Sequence, residues 1–276
     1  MCFYIPRKMA FTKDVLIMGD PRTIDPVYVL QPLIFVLISF GLVLYWRYRR
    51  RFTRSVILYS LLAYAGAIAL KYLVQIPTAK LVFDRFGAAS LASALYLGLL
   101  TVVFEVGGSF FVAYYAVSRG KFEAKDAEAY GIGLAFWENG VLLGLIPLIN
   151  LVAIYVLLAS NASGALFQQI NSTQPYLFNP PPQILTLFAW STLERISSLL
   201  AHFSWGYLCL LAVAFRSWRY FAIALPMGLL DALVPFAPSF SISVFESLIF
   251  VITAGFLLLS LAVTWKLRRQ ISWTPN

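Results

Sequence analysis

The sequence predicts an all-α protein, a polytopic bundle of about seven membrane-spanning helices. Three observations predict it. Hydrophobic residues fill 61% of the 276 positions, above the roughly 45–50% of an ordinary globular chain. Charged residues fill only 12%, about half the usual share. The apolar residues fall in runs long enough to cross a bilayer core, and short cationic clusters separate the runs. These proportions exclude a soluble globular domain, a disordered chain and a disulfide scaffold.

The first span is read at Val27–Trp46 and the second at Val56–Ile76. The third covers Ala88–Val117, the fourth Ala129–Leu158 and the fifth Ile184–Phe215. The sixth covers Tyr220–Phe236 and the seventh Val244–Trp265. Spans three to five exceed a simple crossing, so they must tilt, kink or protrude. Pro147 in the fourth and Pro226 in the sixth are candidate kinks, because proline removes a helix hydrogen bond. Residues 1–26 then form an N-terminal arm, 27–265 a single membrane domain and 266–276 a tail.

Lysine and arginine set the expected orientation. Arg47, Arg49, Arg50, Arg51 and Arg54 follow the first span. Arg119, Lys121 and Lys125 follow the third, Arg216 and Arg219 the fifth, and Lys266, Arg268 and Arg269 the seventh. The loop from Ser160 to Gln183 carries no charge, and neither does the loop from Ala237 to Ser243. The C-terminus is expected in the cytoplasm and the N-terminus outside, although Arg7, Lys8, Lys13 and Arg22 in the arm run against this. The net charge of +9 lies in loops between spans, which points to a lipid bilayer and not to nucleic acid. A multi-pass protein of the plasma membrane is expected.

On the uncharged side, Asn161-Ala162-Ser163 and Asn171-Ser172-Thr173 fit the N-glycosylation pattern. Pro180-Pro181-Pro182 stiffens the approach to the fifth span. The segment before Val27 lacks the continuous apolar run and cleavage site of a signal peptide. Cys2 and Cys209 are far apart in the chain, so no disulfide framework or zinc cluster is indicated.

Lys71, Glu105, Glu138, Glu194, Arg195, His202, Asp231 and Glu246 interrupt the apolar runs. An ionised side chain at mid-membrane costs roughly 2.5–3.5 kcal/mol even on a lenient scale. These residues must therefore face the bundle interior, pair or protonate. Glu105, Glu138, Glu194 and Asp231 sit near the middle of their spans, whereas Glu246 is placed to snorkel from the outer end of the seventh. Carboxylates meeting at one depth repel each other unless cations intervene, and Lys71 and Arg195 are the available cations. Ser191, Arg195, Ser198 and His202 follow at helical steps and form one polar stripe on the fifth span. Thr101, Glu105 and Ser109 share a face of the third, and Tyr130, Leu134 and Glu138 a face of the fourth. Gly107, Gly108, Gly131 and Gly133 allow close helix approach. Structural glue between helices and a functional site both satisfy these patterns.

From Tyr96 to Leu233 the chain resembles the YhfC family, a branch of the superfamily of CAAX-type and PrsW-type intramembrane proteases. The resemblance rests on Phe104-Glu105-Val106-Gly107-Gly108-Ser109 and on Ala129-Tyr130-Gly131-Ile132-Gly133-Leu134 with Glu138. Leu193-Glu194-Arg195 with His202 and Leu229-Leu230-Asp231-Ala232-Leu233 complete it. The family pattern reads Glu-Glu-x-Gly-Arg, then Tyr-Gly-Ile-Gly-His, then Glu-Arg followed by His, then His-x-x-x-Asp. Here Val106 and Ser109 replace the second Glu and the Arg, and Leu134 and Met227 stand where histidines are expected.

The resemblance implies the seven-helix fold with a candidate remnant site of Glu105, Glu138 and His202. Glu194, Arg195, Asp231 and Tyr130 are candidate binding residues. With one histidine in the chain, a His-based zinc site is not expected. The leading expectation is a catalytically degenerate protein that binds or scaffolds membrane proteins or transmembrane peptides, without a cofactor. The first alternative is an active glutamate-based peptidase with Glu105 as general base and His202 as electrophilic partner, and only there does zinc enter. The second is a proton- or cation-coupled transporter that uses the buried carboxylates as a relay.

Overall fold

A computed structural model describes residues 24–50, 54–160, 164–178 and 182–268. Among these residues there are helices and connecting turns but no strand. Seven helices are long and apolar enough to cross a membrane: Val27–Arg49, Ser55–Phe86, Leu91–Ser118, Ala124–Ser160, Ile184–Ala214, Trp218–Ser239 and Ile242–Val263. Most of the N-terminal arm, Cys2, the Asn161 tripeptide, Pro180, Pro181 and Arg269 lie outside the described residues. Asn171 falls on a short connecting helix, Gly164–Thr173.

The second span runs on past the predicted Ile76 to Phe86. Pro77 lies inside it without ending it. The Thr78 hydroxyl donates to the Val74 carbonyl at 2.6 Å and pairs with the Tyr96 hydroxyl at 2.6 Å, which ties the extension to the third span. At about 1.5 Å per residue this helix exceeds the ~30 Å hydrocarbon core, so it tilts or projects. The turn into the third span uses Gly87 at φ 84°, a left-handed conformation that glycine adopts without a Cβ clash. Ser90 then caps the new helix by accepting from the Ser93 N–H at 3.2 Å.

The fifth span is the centre of the bundle. Residues of its most apolar stretch are 72% buried, against 33% or fewer in every other span. The inner part of the fourth span, Ala127–Phe136, and the seventh span pack along it. The backbones of spans four and five nearly touch: a Cβ on Gly131 would stand 2.5 Å from the Phe203 carbonyl oxygen. Spans three and six meet as closely, since a Cβ on Gly228 would lie 2.9 Å from the Val102 Cα. Gly131 and Gly133 thus serve the close approach expected of them. Gly107 and Gly108 do not, because at Gly108 an added Cβ would meet Ala67 at an ordinary 3.4 Å.

Three spans depart from α geometry where the acids sit. The third widens to a π-helix over Val102–Val106, closed by a Gly107 N–H bond to the Val102 carbonyl, and Glu105 lies within it. The fourth widens over Trp137–Leu145, which contains Glu138. Pro147 stands just beyond, and the missing proline N–H accounts for a loosened turn on its N-terminal side. The sixth tightens to a 3₁₀-helix over Leu225–Ser239, which contains Asp231, Pro226, Pro235 and Pro238. At about 2.0 Å rise per residue, this tighter winding lets a short sequence cross the core. Single-turn π segments and long 3₁₀ stretches are uncommon and often mark functional positions.

Candidate functional site

Lys71 projects from the second span into the contact between spans three and six and is 8% exposed. Its Nζ donates to Glu105 Oε1 at 2.6 Å, Thr101 Oγ1 at 2.7 Å and Asp231 Oδ2 at 2.9 Å. Thr101 donates to the same Asp231 oxygen at 2.5 Å. An ammonium has three N–H donors, so Lys71 is saturated by partners on two neighbouring helices. This cluster pairs and hydrogen-bonds both acids, the buried Glu105 and the partly exposed Asp231, as charges within an apolar span require.

The second oxygen of Glu105 points to the fifth span, where His202 Nε2 lies 3.5 Å away. Glu138 Oε2 lies 2.7 Å from the same nitrogen. At 2.7 Å the Glu138 oxygen is within ion-pair reach of a protonated ring, and the Glu105 oxygen at 3.5 Å is farther off. On the other side of the ring, Nδ1 is 3.0 Å from the Ser198 carbonyl. A carbonyl only accepts, so Nδ1 donates to it, and Nε2 is the nitrogen that faces the two acids. The Trp205 ring flanks the imidazole at 4.2 Å between centroids, and Tyr64 stands edge-on at 6.1 Å.

Arg195, nearly two turns before His202, is 4% exposed. It pairs tightly with Glu194 and stands 3.6 Å from Glu138 Oε1 and 3.5 Å from Asn139 Oδ1. The Asn139 amide donates to the Ala135 carbonyl at 3.0 Å and to the Ser198 hydroxyl at 3.1 Å. Polar contacts therefore run continuously from Asp231 through Lys71, Glu105, His202 and Glu138 to Arg195, across spans two to six.

Of the sequence-derived candidates, Glu105, Glu138, His202, Arg195 and Asp231 meet in this network, and Glu194 joins its rim through Arg195. Tyr130 stands apart: it is fully buried and donates to the Ser109 carbonyl at 2.8 Å. Glu246 does not snorkel. The seventh span packs on the fifth, which leaves Glu246 7% exposed with Oε2 buried. Asn139 and Trp205 were not foreseen. An amide beside an acid in an apolar span, and an indole three residues after the only histidine, are the signals that mark them.

The sequence pattern of the YhfC intramembrane metalloprotease family matches residues 34–253. The chain belongs to the YhfC family. Neither a curated relative nor a solved structure matches it. With seven apolar helices, this makes it an integral membrane protein of the lipid bilayer.

The YhfC family name implies a metal, and the donor set of this chain does not fit one. Catalytic zinc is held by three protein ligands. Here one imidazole is present, and among the described residues no three His, Cys, Asp or Glu side chains are arranged to hold an ion. Both neighbouring acids are already engaged by built-in cations, Glu105 by Lys71 and Glu138 by Arg195. Leu134 and Met227, at the motif positions for histidine, are 1% and 0% exposed and belong to the apolar core. Leucine offers no ligand, and methionine offers only a soft one.

Proposed function

We propose that this YhfC protein does not hydrolyse peptides and instead binds or scaffolds a membrane partner, a protein or a transmembrane peptide. The observation that carries the reading is the neutralisation of the acids. A general base must offer a free lone pair to a water. Glu105 places one oxygen on the Lys71 ammonium at 2.6 Å and turns the other to His202. Closed ion pairs of this kind hold helices in register. The network reaches the surface through Glu194 and Asp231, whose side chains are 23% and 29% exposed. These are the positions at which a partner's hydrogen-bond donor or cation engages. The orientation follows from the cationic loops: N-terminus outside, C-terminus in the cytoplasm, in the plasma membrane.

The test is expression with a panel of membrane substrates, beside a Leu134→His, Met227→His double variant. No cleavage is expected from the unmodified chain. Cleavage that disappears on Glu105→Gln overturns the reading and supports a second one, a glutamate-based peptidase. That second reading draws on one feature. With Nδ1–H bonded to the Ser198 carbonyl, Nε2 lies beside both Glu138 and Glu105, and in the doubly protonated ring its N–H is the donor that an electrophilic partner near the base would offer.

A further inference from the structure

We infer that the Lys71 ammonium is a tethered substitute for a metal ion, and that the oxygens holding it become a divalent-cation site once the ammonium is removed. Three oxygens converge on one point from two helices: Glu105 Oε1 at 2.6 Å, Thr101 Oγ1 at 2.7 Å and Asp231 Oδ2 at 2.9 Å. The convergence does not depend on the lysine alone, because Thr101 and Asp231 also bond each other directly. Two carboxylates and a hydroxyl are hard donors, the set that suits magnesium or manganese better than zinc.

Charge and space favour the exchange. Without the ammonium, two carboxylates share a site in which Thr101 is 3% and Glu105 7% exposed, with the Asp231 side chain 29% exposed at its edge. A divalent cation then competes with protonation to neutralise the pair, and it alone can use all three oxygens as ligands. Metal–oxygen bonds of about 2.0–2.2 Å ask the oxygens to move inward by roughly 0.4 to 0.9 Å, most at Asp231. The emptied lysine stem leaves room for water to complete the coordination shell. Glu105 Oε2 stays with His202 throughout, so the rest of the network is undisturbed.

The inference concerns what neutralises Glu105 and Asp231. It holds whether or not the chain cleaves peptides, and its readout is metal content. Wild type, Lys71→Ala and Lys71→Ala, Asp231→Asn are purified in detergent, equilibrated with Mn²⁺ and desalted, and bound metal is measured by elemental analysis. Wild type is expected to retain no stoichiometric Mn²⁺, and EDTA to leave its thermal midpoint unchanged. Lys71→Ala is expected to retain close to one ion per chain, and the double variant to bind roughly tenfold more weakly or less. Stoichiometric metal in the wild type, lost on His202→Ala or Glu105→Gln, overturns the inference, as does a folded Lys71→Ala that binds none. If Lys71→Ala folds only with Mn²⁺ present, that rescue supports it. If Mn²⁺ fails to rescue Lys71→Ala while Lys71→Arg folds, the inference falls.

Discussion

Lys71 and Arg195 sit at opposite ends of one buried network, and they neutralise acids in different ways. Lys71 is a compact charge enclosed by oxygens at 2.6, 2.7 and 2.9 Å. Arg195 spreads its charge over a planar group. It pairs closely with the partly exposed rim acid Glu194 and holds Glu138 at 3.6 Å and Asn139 at 3.5 Å. At the lysine end the cation has every donor committed. At the arginine end the cation stands 3.6 Å from Glu138, and Glu138 has a second partner close by, His202 Nε2 at 2.7 Å, whereas Glu105 at the lysine end is 3.5 Å from the same nitrogen. Each cation pairs two acids, so its energetic weight depends on how closely those acids hold it and which contacts remain to them when it is removed, and not on its depth alone.

The largest effect tests that contrast directly. Lys71→Met leaves Glu105 and Asp231 without their cation and is expected to destabilise by about 3–5 kcal/mol, measured by unfolding in detergent with chelator present. Adding Glu105→Gln and Asp231→Asn to that variant is expected to restore most of the loss. Arg195→Met is expected to cost less, about 2–3 kcal/mol, because Glu138 keeps His202 at 2.7 Å, whereas Glu105 has it only at 3.5 Å. A reversed order of these two variants breaks the comparison.

Packing beside the network gives a smaller effect. Gly131→Ala drives a methyl to 2.5 Å from the fixed Phe203 carbonyl, next to His202 in the middle of the network, and Gly228→Ala drives one to 2.9 Å from the Val102 Cα at the lysine end. Each is expected to cost about 1–3 kcal/mol. Gly108→Ala, with ordinary contact to Ala67 at 3.4 Å, is the control, expected to be neutral or to stabilise by up to about 1 kcal/mol. Smallest is Tyr130→Phe, which removes the bond to the Ser109 carbonyl. A thermal shift corresponding to about 1 kcal/mol, with Mn²⁺ binding of Lys71→Ala unaltered, would place Tyr130 outside both ends.

Much of the site was legible before any coordinates. Glu105, Glu138 and Asp231 stand mid-span, where exposure to lipid is costly; of the stripe of Ser191, Arg195, Ser198 and His202 the last three face the network, while Ser191 accepts from Gln31 of the first span at 2.5 Å. Lys71 and Arg195 were visible as the cations that had to answer these acids. Asn139 was not visible as a partner, because an α-helical wheel turns it away from its neighbour Glu138. The wider π turn over Trp137–Leu145 holds more residues per turn and narrows that angle, so both reach the fifth span. Glu246 was misplaced because its position near a span end suggests snorkelling, whereas its burial depends on which helix covers it.

The number of spans, their approximate limits and the need for acids to find cations followed from the sequence alone. Transfer of a side chain from water to hydrocarbon is a property of residue type and run length, and it needs no knowledge of neighbours. Which acid meets which cation was decided by tertiary structure. That choice depends on the rotation of each helix about its axis, and the π and 3₁₀ segments at Glu105, Glu138 and Asp231 change that rotation by fractions of a turn that no regular helical periodicity records.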